Sequence, residues 1–126
     1  MIIMNLKMAG VQSAGPQRRM SMDEAKARSR VMKALGHPIR LLIVDTLHQG
    51  DRCLCEFHPP FKVRQPTLSR HLAVLKQAGL ITEQRAGPRL ILHLATPRIV
   101  LAFDCAMDVV RADHQRRARS VAPVKP

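Results

Sequence analysis

Cys53 and Cys55 stand one residue apart in the run DRCLCEFHPPFKVRQPTLSRHLAVLKQAGLI, and Cys105 is the third thiol of the chain. Thiolates are soft donors, so a pair at this spacing suits a thiophilic metal or metalloid better than a hard cation. Thiols of depressed pKa also take part in redox chemistry. About ten residues past the pair comes a short patterned segment, Gln65 to Leu80, which has the character of a DNA-reading helix. A chemical sensor and an output element are therefore adjacent in the chain. No nucleophile–base arrangement, glycine-rich phosphate loop or paired carboxylates accompany the thiols, which argues against an enzyme.

The elements that must position these residues can be read from spacing. Ser21-x-x-Glu24 has the form of a capping box and starts a first helix that runs to about Leu35, where Gly36 stops it. Pro38 suits the first turn of a second helix, whose apolar face is Ile39, Leu42, Ile43, Thr46 and Leu47, with Gly50 at its end. A third, short helix is expected from about Asp51 to Cys53 onward and cannot pass Pro59-Pro60. Pro66 opens a fourth helix and Gly79 closes it. Its Leu68, Leu72 and Leu75 fall on one face, and Thr67, Arg70, His71 and Val74 on an adjacent one. Leu80–Arg85 and Arg89–Leu94 read as strands around Ala86-Gly87-Pro88, a hairpin with a basic tip. Pro97 begins a last helix reaching about Arg117 that is apolar on two sides. Ile99, Phe103, Ala106, Met107 and Val110 make one side, and Leu101, Cys105, Val109 and Ala112 the other. Such a helix packs on its own domain and on a partner, so a homodimer is expected. Residues 1–20 show no sustained period and are expected to form a flexible arm, 21–117 a single domain, and 118–126 a basic tail.

Composition supports one domain built mainly from helices with a small β-hairpin wing, a winged helix-turn-helix. The 126 residues include only three aromatics, all Phe, so Leu, Ile, Val and Met must fill the core. No apolar run is long enough to span a membrane, and the start MIIMNLKMAG does not have the form of a secretory signal. A cytoplasmic chain with reduced cysteines is the expectation. Net charge is +12, and within 21–110 its distribution is uneven. Lys62, Arg64, Arg70, Lys76, Arg85 and Arg89 face a single acid, Glu83, in 62–89, whereas the rest of that stretch balances. A basic segment that coincides with a helix and a hairpin points to double-stranded DNA. Gln65, Thr67, Ser69, Arg70 and His71 are the expected base or phosphate contacts of the reading helix. Arg85 and Arg89 are those of the wing, and Lys62 and Arg64 are expected on phosphates.

Residues 30–94 resemble the ArsR/SmtB family of metal-responsive winged-helix repressors through ALGHPIRLLIVDTL, CLC, QPTLSRHLAVLKQAGLI and a glycine-containing wing before ILHL. The resemblance implies a homodimer joined through its first and last helices, which represses an operon containing its own gene. It also implies an inducer. The arsenic-sensing branch carries a Cys-x-Cys pair at the start of the third helix, here Cys53 and Cys55, so arsenite or antimonite is the expected ligand. Trivalent arsenic and antimony favour three thiolates in a trigonal pyramid, and Cys105 is the remaining thiol. It is expected to complete the site within one protomer or across the dimer. The zinc-sensing branch uses Asp-x-His and a later His pair on the terminal helix; here Asp104 is followed two on by Ala106, and position 117 is Arg117, so that site is absent. Zinc or cadmium at Cys53, Cys55 and His58 is an alternative.

In an ideal helix Cys53 and Cys55 would point about 200° apart. Shared ligation then requires an irregular or unwound first turn, and binding would distort the third helix beside the reading helix. Two rivals stand beside metalloid release. In one, oxidation or persulfidation of the cysteines is the signal for the same repressor. In the other, the protein is an architectural DNA binder with buried, inert thiols.

Overall fold

A computed structural model describes residues 18–57 and 62–121. His58, Pro59 and Pro60, most of the expected arm and the end of the expected tail lie outside the described residues. Helix α1 spans Met22–Leu35, α2 Pro38–His48, α3 Gln65–Gln77 and α4 Leu101–Val121. Strands β1 (Arg52–Cys53), β2 (Ile81–Ala86) and β3 (Arg89–Leu94) form one antiparallel sheet with β3 in the centre.

The helix starts follow the capping logic of the sequence. Ser21 Oγ accepts the Glu24 backbone N–H at 3.1 Å, and Gly36 ends α1. His37 caps α2 through Nδ1, which accepts the Ile39 N–H at 3.1 Å, ahead of Pro38 in the first turn. Pro66 lies in the first turn of α3, and Gly79 takes a left-handed φ of 82° just beyond its end. In the hairpin Ala86 pairs with Arg89, so Gly87 and Pro88 make a two-residue turn. Gly87 supplies the positive φ, 63°, that such a turn requires.

The inward stripe of α3 is confirmed: Leu68 and Leu75 are fully buried and Leu72 nearly so. They pack with Leu35 of α1, Ile43, Val44 and Leu47 of α2, and Ile81, Leu92 and Leu94 of the sheet. Each fully buried Leu contributes about 1.5–3 kcal/mol of hydrophobic stabilisation. Phe57, 1% exposed, is also part of this core and had no place in the sequence reading.

Two expectations need correction. Among the described residues the third helix is not an α-helix. Arg52 and Cys53 are extended and pair with Leu92 and Ile91 of β3, and a 3-10 turn, Leu54–Glu56, follows. The β3 edge offers Cys53 ladder hydrogen bonds, and three residues are too few for a stable α-helix. The last helix also outruns its predicted end. A 3-10 turn over Pro97–Val100 leads into α4, which continues to Val121 into the segment expected as tail. Asp113 pairs with Arg116 and Arg117 one turn on, and no proline interrupts the chain before Pro123. Of the expected inward face of α4, Phe103 packs on the core together with Ile99 and Val100, which precede the helix. Leu101, Met107, Val109 and Val110 are 43–67% exposed, as are Met22 and Met32 of α1 at 70% and 54%.

Candidate thiol sensor and nucleic-acid interface

Cys53 ends β1 and also caps the 3-10 turn. Its sulfur accepts the Cys55 backbone N–H at 3.3 Å, while its own N–H donates to Glu56 Oε1 at 2.8 Å. This is a capping box with a thiol in the position usually held by serine. Cys53-x-x-Glu56 repeats the spacing of Ser21-x-x-Glu24, so a signal for Glu56 was present in the sequence and was missed. Phe57 buries the end of the turn in the core.

The turn brings the two sulfurs together, with Cys55 Sγ donating to Cys53 Sγ at 2.6 Å. No unwinding is needed, which removes the geometric obstacle posed by an ideal helix. Cys53 is buried and Cys55 exposed, so the pair has one anchored and one accessible thiol. Hydrogen bonds from the Cys55 thiol and backbone hold Cys53 below the usual thiol pKa, with help from Arg89. The same sulfur contact, followed by desolvation, pushes Cys55 up. The two thiols are thus pushed apart in acidity, Cys53 ionising before Cys55.

Arg89 was expected on DNA. Its guanidinium is exposed and also lines one cavity with both sulfurs, and its pKa is raised by Cys53 first and then by Cys55. Cys53, Leu54, Cys55, Gln65, Arg85, Pro88, Arg89 and Leu90 line a cavity of about 490 Å³. The sensor turn, the start of the reading helix and the wing therefore share one space.

Cys105 is exposed on α4. Among the described residues no three His, Cys, Asp or Glu side chains gather into a metal-sized group, so one chain does not bring Cys105 to the pair. His58 lies outside the described residues.

Of the expected DNA contacts, Lys62, Arg64, Gln65, Ser69, Arg70, Arg85 and Arg89 are exposed, and Thr67 is half-buried. Lys76 bonds Glu83 at 2.9 Å, which ties the end of α3 to β2 and neutralises the one acid of the basic segment. His71 has protein partners. Arg40 Nη1 donates to its Nδ1 at 3.0 Å, and its ring lies 4.3 Å from that of His37. Desolvation, then His37, Arg40 and Arg70, lower the His71 pKa, so the ring is neutral and able to accept from Arg40. Arg40 also donates to the carbonyls of Ala34 and Lys33 at the end of α1. One guanidinium therefore clamps α1, α2 and the reading helix together.

The profile of the family described as "Bacterial regulatory protein, arsR family" matches residues 37–83, from the cap of α2 into the wing. The HTH-type transcriptional regulator MJ1325 of Methanocaldococcus jannaschii is 32% identical over 79 residues, covering 62% of this chain and 89% of that protein. The chain belongs to the ArsR/SmtB family. The HTH-type transcriptional repressor SmtB of Mycobacterium tuberculosis is 38% identical to this ArsR-family chain over 69 residues, 55% of the chain. The match spans about half of SmtB's own length, 51%. The arsenical resistance operon repressor of Staphylococcus xylosus is 39% identical over 62 residues, 49% of this chain and 60% of that one. The solved homodimeric winged helix-turn-helix DNA-binding domain Mb0332 of Mycobacterium bovis superposes with a TM-score of 0.61 at 29% identity, over 80% of this chain and 95% of that one. The winged helix-turn-helix fold read from the sequence is thus the fold observed. Among the described residues no helix is long and apolar enough to cross a membrane.

Proposed function

We propose that this ArsR-family protein is a homodimeric transcriptional repressor that holds operator DNA with α3 and the β2–β3 wing. It releases the DNA when Cys53 and Cys55 bind trivalent arsenic or antimony. The observation that carries the reading is the adjacency of the two sulfurs in a cavity shared with Gln65, Arg85 and Arg89. A ligand at the sulfurs lies against DNA-reading residues. The names of the SmtB and arsenical-operon relatives support repression, and the latter supports the choice of inducer.

The residues perform a condensation. The Cys53 and Cys55 sulfurs each displace a hydroxide from arsenous acid, each thiol proton leaves with that hydroxide as water, and no oxidation state changes. Cys55, at the surface, makes the first encounter, and Cys53, anchored by Glu56, closes the chelate. The third sulfur is assigned to Cys105 of a second copy. Leu101, Cys105 and Val109 fall on one face of α4, and the uncovered apolar residues of that face and of α1 fit a dimer contact. The homodimeric Mb0332 domain supports that assembly. A hundredfold loss of operator affinity on ligation corresponds to a coupling of about 2.7 kcal/mol, well within the reach of metal–thiolate bonds.

The test is fluorescence anisotropy of the reduced protein on a duplex selected in vitro by the wild type, titrated with arsenite beside Cys105→Ser. Release by low micromolar arsenite in the wild type alone supports the full three-sulfur reading. Release by both proteins leaves the Cys53–Cys55 pair sufficient. Retention by both rejects the metalloid and turns attention to zinc and cadmium with His58. The lowered pKa of Cys53 favours a second reading, in which oxidation or persulfidation of the pair is the signal. Release by substoichiometric peroxide or polysulfide, with arsenite inert, would select it.

A further inference from the structure

The β1–β3 ladder is short. Arg52 pairs with Leu92 and Cys53 with Ile91, after which the chain turns away into the Leu54–Glu56 turn. The tip half of β3 then has backbone pairing with β2 alone, out to the Ala86–Arg89 pair at the Gly87-Pro88 turn. Arg89 stands two residues from Ile91 and so projects from the same face of the sheet as Cys53. From there it lines one cavity with Cys53 and Cys55. A side chain thus stands between the thiol turn and the wing tip where the ladder has ended.

We propose that Arg89 is the positioning residue that couples the thiol pair to DNA: held by the Cys53 and Cys55 sulfurs in the free protein, it fixes the wing tip, and ligation of those sulfurs lets the tip go. What occupies the thiols rests on the function proposed above; the tie itself does not. The condensation already described converts two sulfur acceptors into two arsenic–sulfur bonds, with two waters leaving. Their lone pairs are then engaged, and the ligand fills the space the guanidinium held. Arg85 opens onto the same cavity from β2, so the freed Arg89 meets another cation there and is driven outward. The wing loses its fixed geometry while the Leu68–Leu72–Leu75 anchorage of α3 remains intact.

A ligand-free double-mutant cycle on the selected duplex tests the tie. Arg89→Ala and the paired change Cys53→Ala/Cys55→Ala are each expected to weaken binding by the reduced protein about fivefold. Combined, they should also weaken it about fivefold, because both remove the same contact. A product of about 25-fold would show that Arg89 acts on DNA without the sulfurs and would overturn the proposal, as would no effect of Arg89→Ala. Cys53 is buried, so the cycle is repeated with the exposed Cys55→Ala alone, and melting curves confirm that every variant is folded. Arg89→Lys should restore part of the non-additivity.

Arsenite supplies a second reading. In Arg89→Ala the thiols should remain protected by arsenite from a thiol-reactive dye, yet the loss of operator affinity on ligation should fall about fivefold, from about hundredfold to about twentyfold. A retained hundredfold response, with both states weakened equally and a salt slope lower by about one unit, would make Arg89 an ordinary phosphate contact. Unprotected thiols in the wild type would reject metalloid sensing and leave the ligand-free cycle to decide the tie.

Discussion

Glu56 holds the sensor turn in place, and removing its carboxylate should weaken ligand capture without touching the DNA-reading residues. Its Oε1 accepts the Cys53 backbone N–H at 2.8 Å, and the Cys53 sulfur in turn accepts from the Cys55 N–H. The bond is charge-assisted but partly open to water, so its net worth lies near the lower end for such bonds, about 1.5 kcal/mol. In Glu56→Ala the turn loses one half of its capping box and the two sulfurs sample wider separations. Reordering them on binding should cost about 1.4 kcal/mol, a tenfold loss of arsenite affinity. Glu56→Gln keeps an oxygen acceptor while removing the charge, so its loss should stay within about threefold. The two variants separate positioning from electrostatics, since a carboxylate also disfavours thiolates nearby. The assay is competition between arsenite and a thiol-reactive dye for Cys55, with operator affinity of the ligand-free proteins measured alongside. Equal arsenite affinity in Glu56→Ala and wild type would refute the claim that this cap preorganises the site. Tighter binding in both variants would show that charge, not the cap, dominates.

Three other outcomes are expected. Arg40→Ala removes donors to His71 and to the end of α1, and should cost about 2 kcal/mol in urea unfolding with an unchanged m-value. Because the His71 pKa is lowered in the folded protein, the unfolded chain binds more protons just below the ordinary histidine range. Its contribution to stability is therefore complete above that range, declines as the pH falls toward the folded pKa, and levels off below it. His71→Gln should flatten this part of the pH profile, and an unchanged profile would assign the titration elsewhere. Val109→Glu places a charge on an exposed apolar position of α4, and should shift the protein from dimer to monomer in sedimentation and abolish tight operator binding.

The sequence alone determined most of the elements and the inward face of the reading helix. Ser21, His37 with Pro38, Pro66 and Gly79 mark helix limits by rules that act within a few residues, and the Leu68–Leu72–Leu75 stripe follows from helical periodicity. The family was legible for the same reason, because the α2–α3 region carries its phrasing in contiguous residues. What the sequence did not determine was which face each chemical group would find. Cys53 is extended rather than helical because β3 is available to pair with it, a neighbour 38 positions away in the chain. That one pairing, with its register, brings the thiols together and sets them in one cavity with Arg89, a neighbour that composition did not indicate. His71 likewise fell on a DNA-reading face by periodicity, yet the packing of α2 against α3 gave it Arg40 and His37 as partners. Periodicity reports the direction of a side chain from its own helix. The partner that side chain meets depends on how separate elements are brought together, and that is decided by tertiary packing.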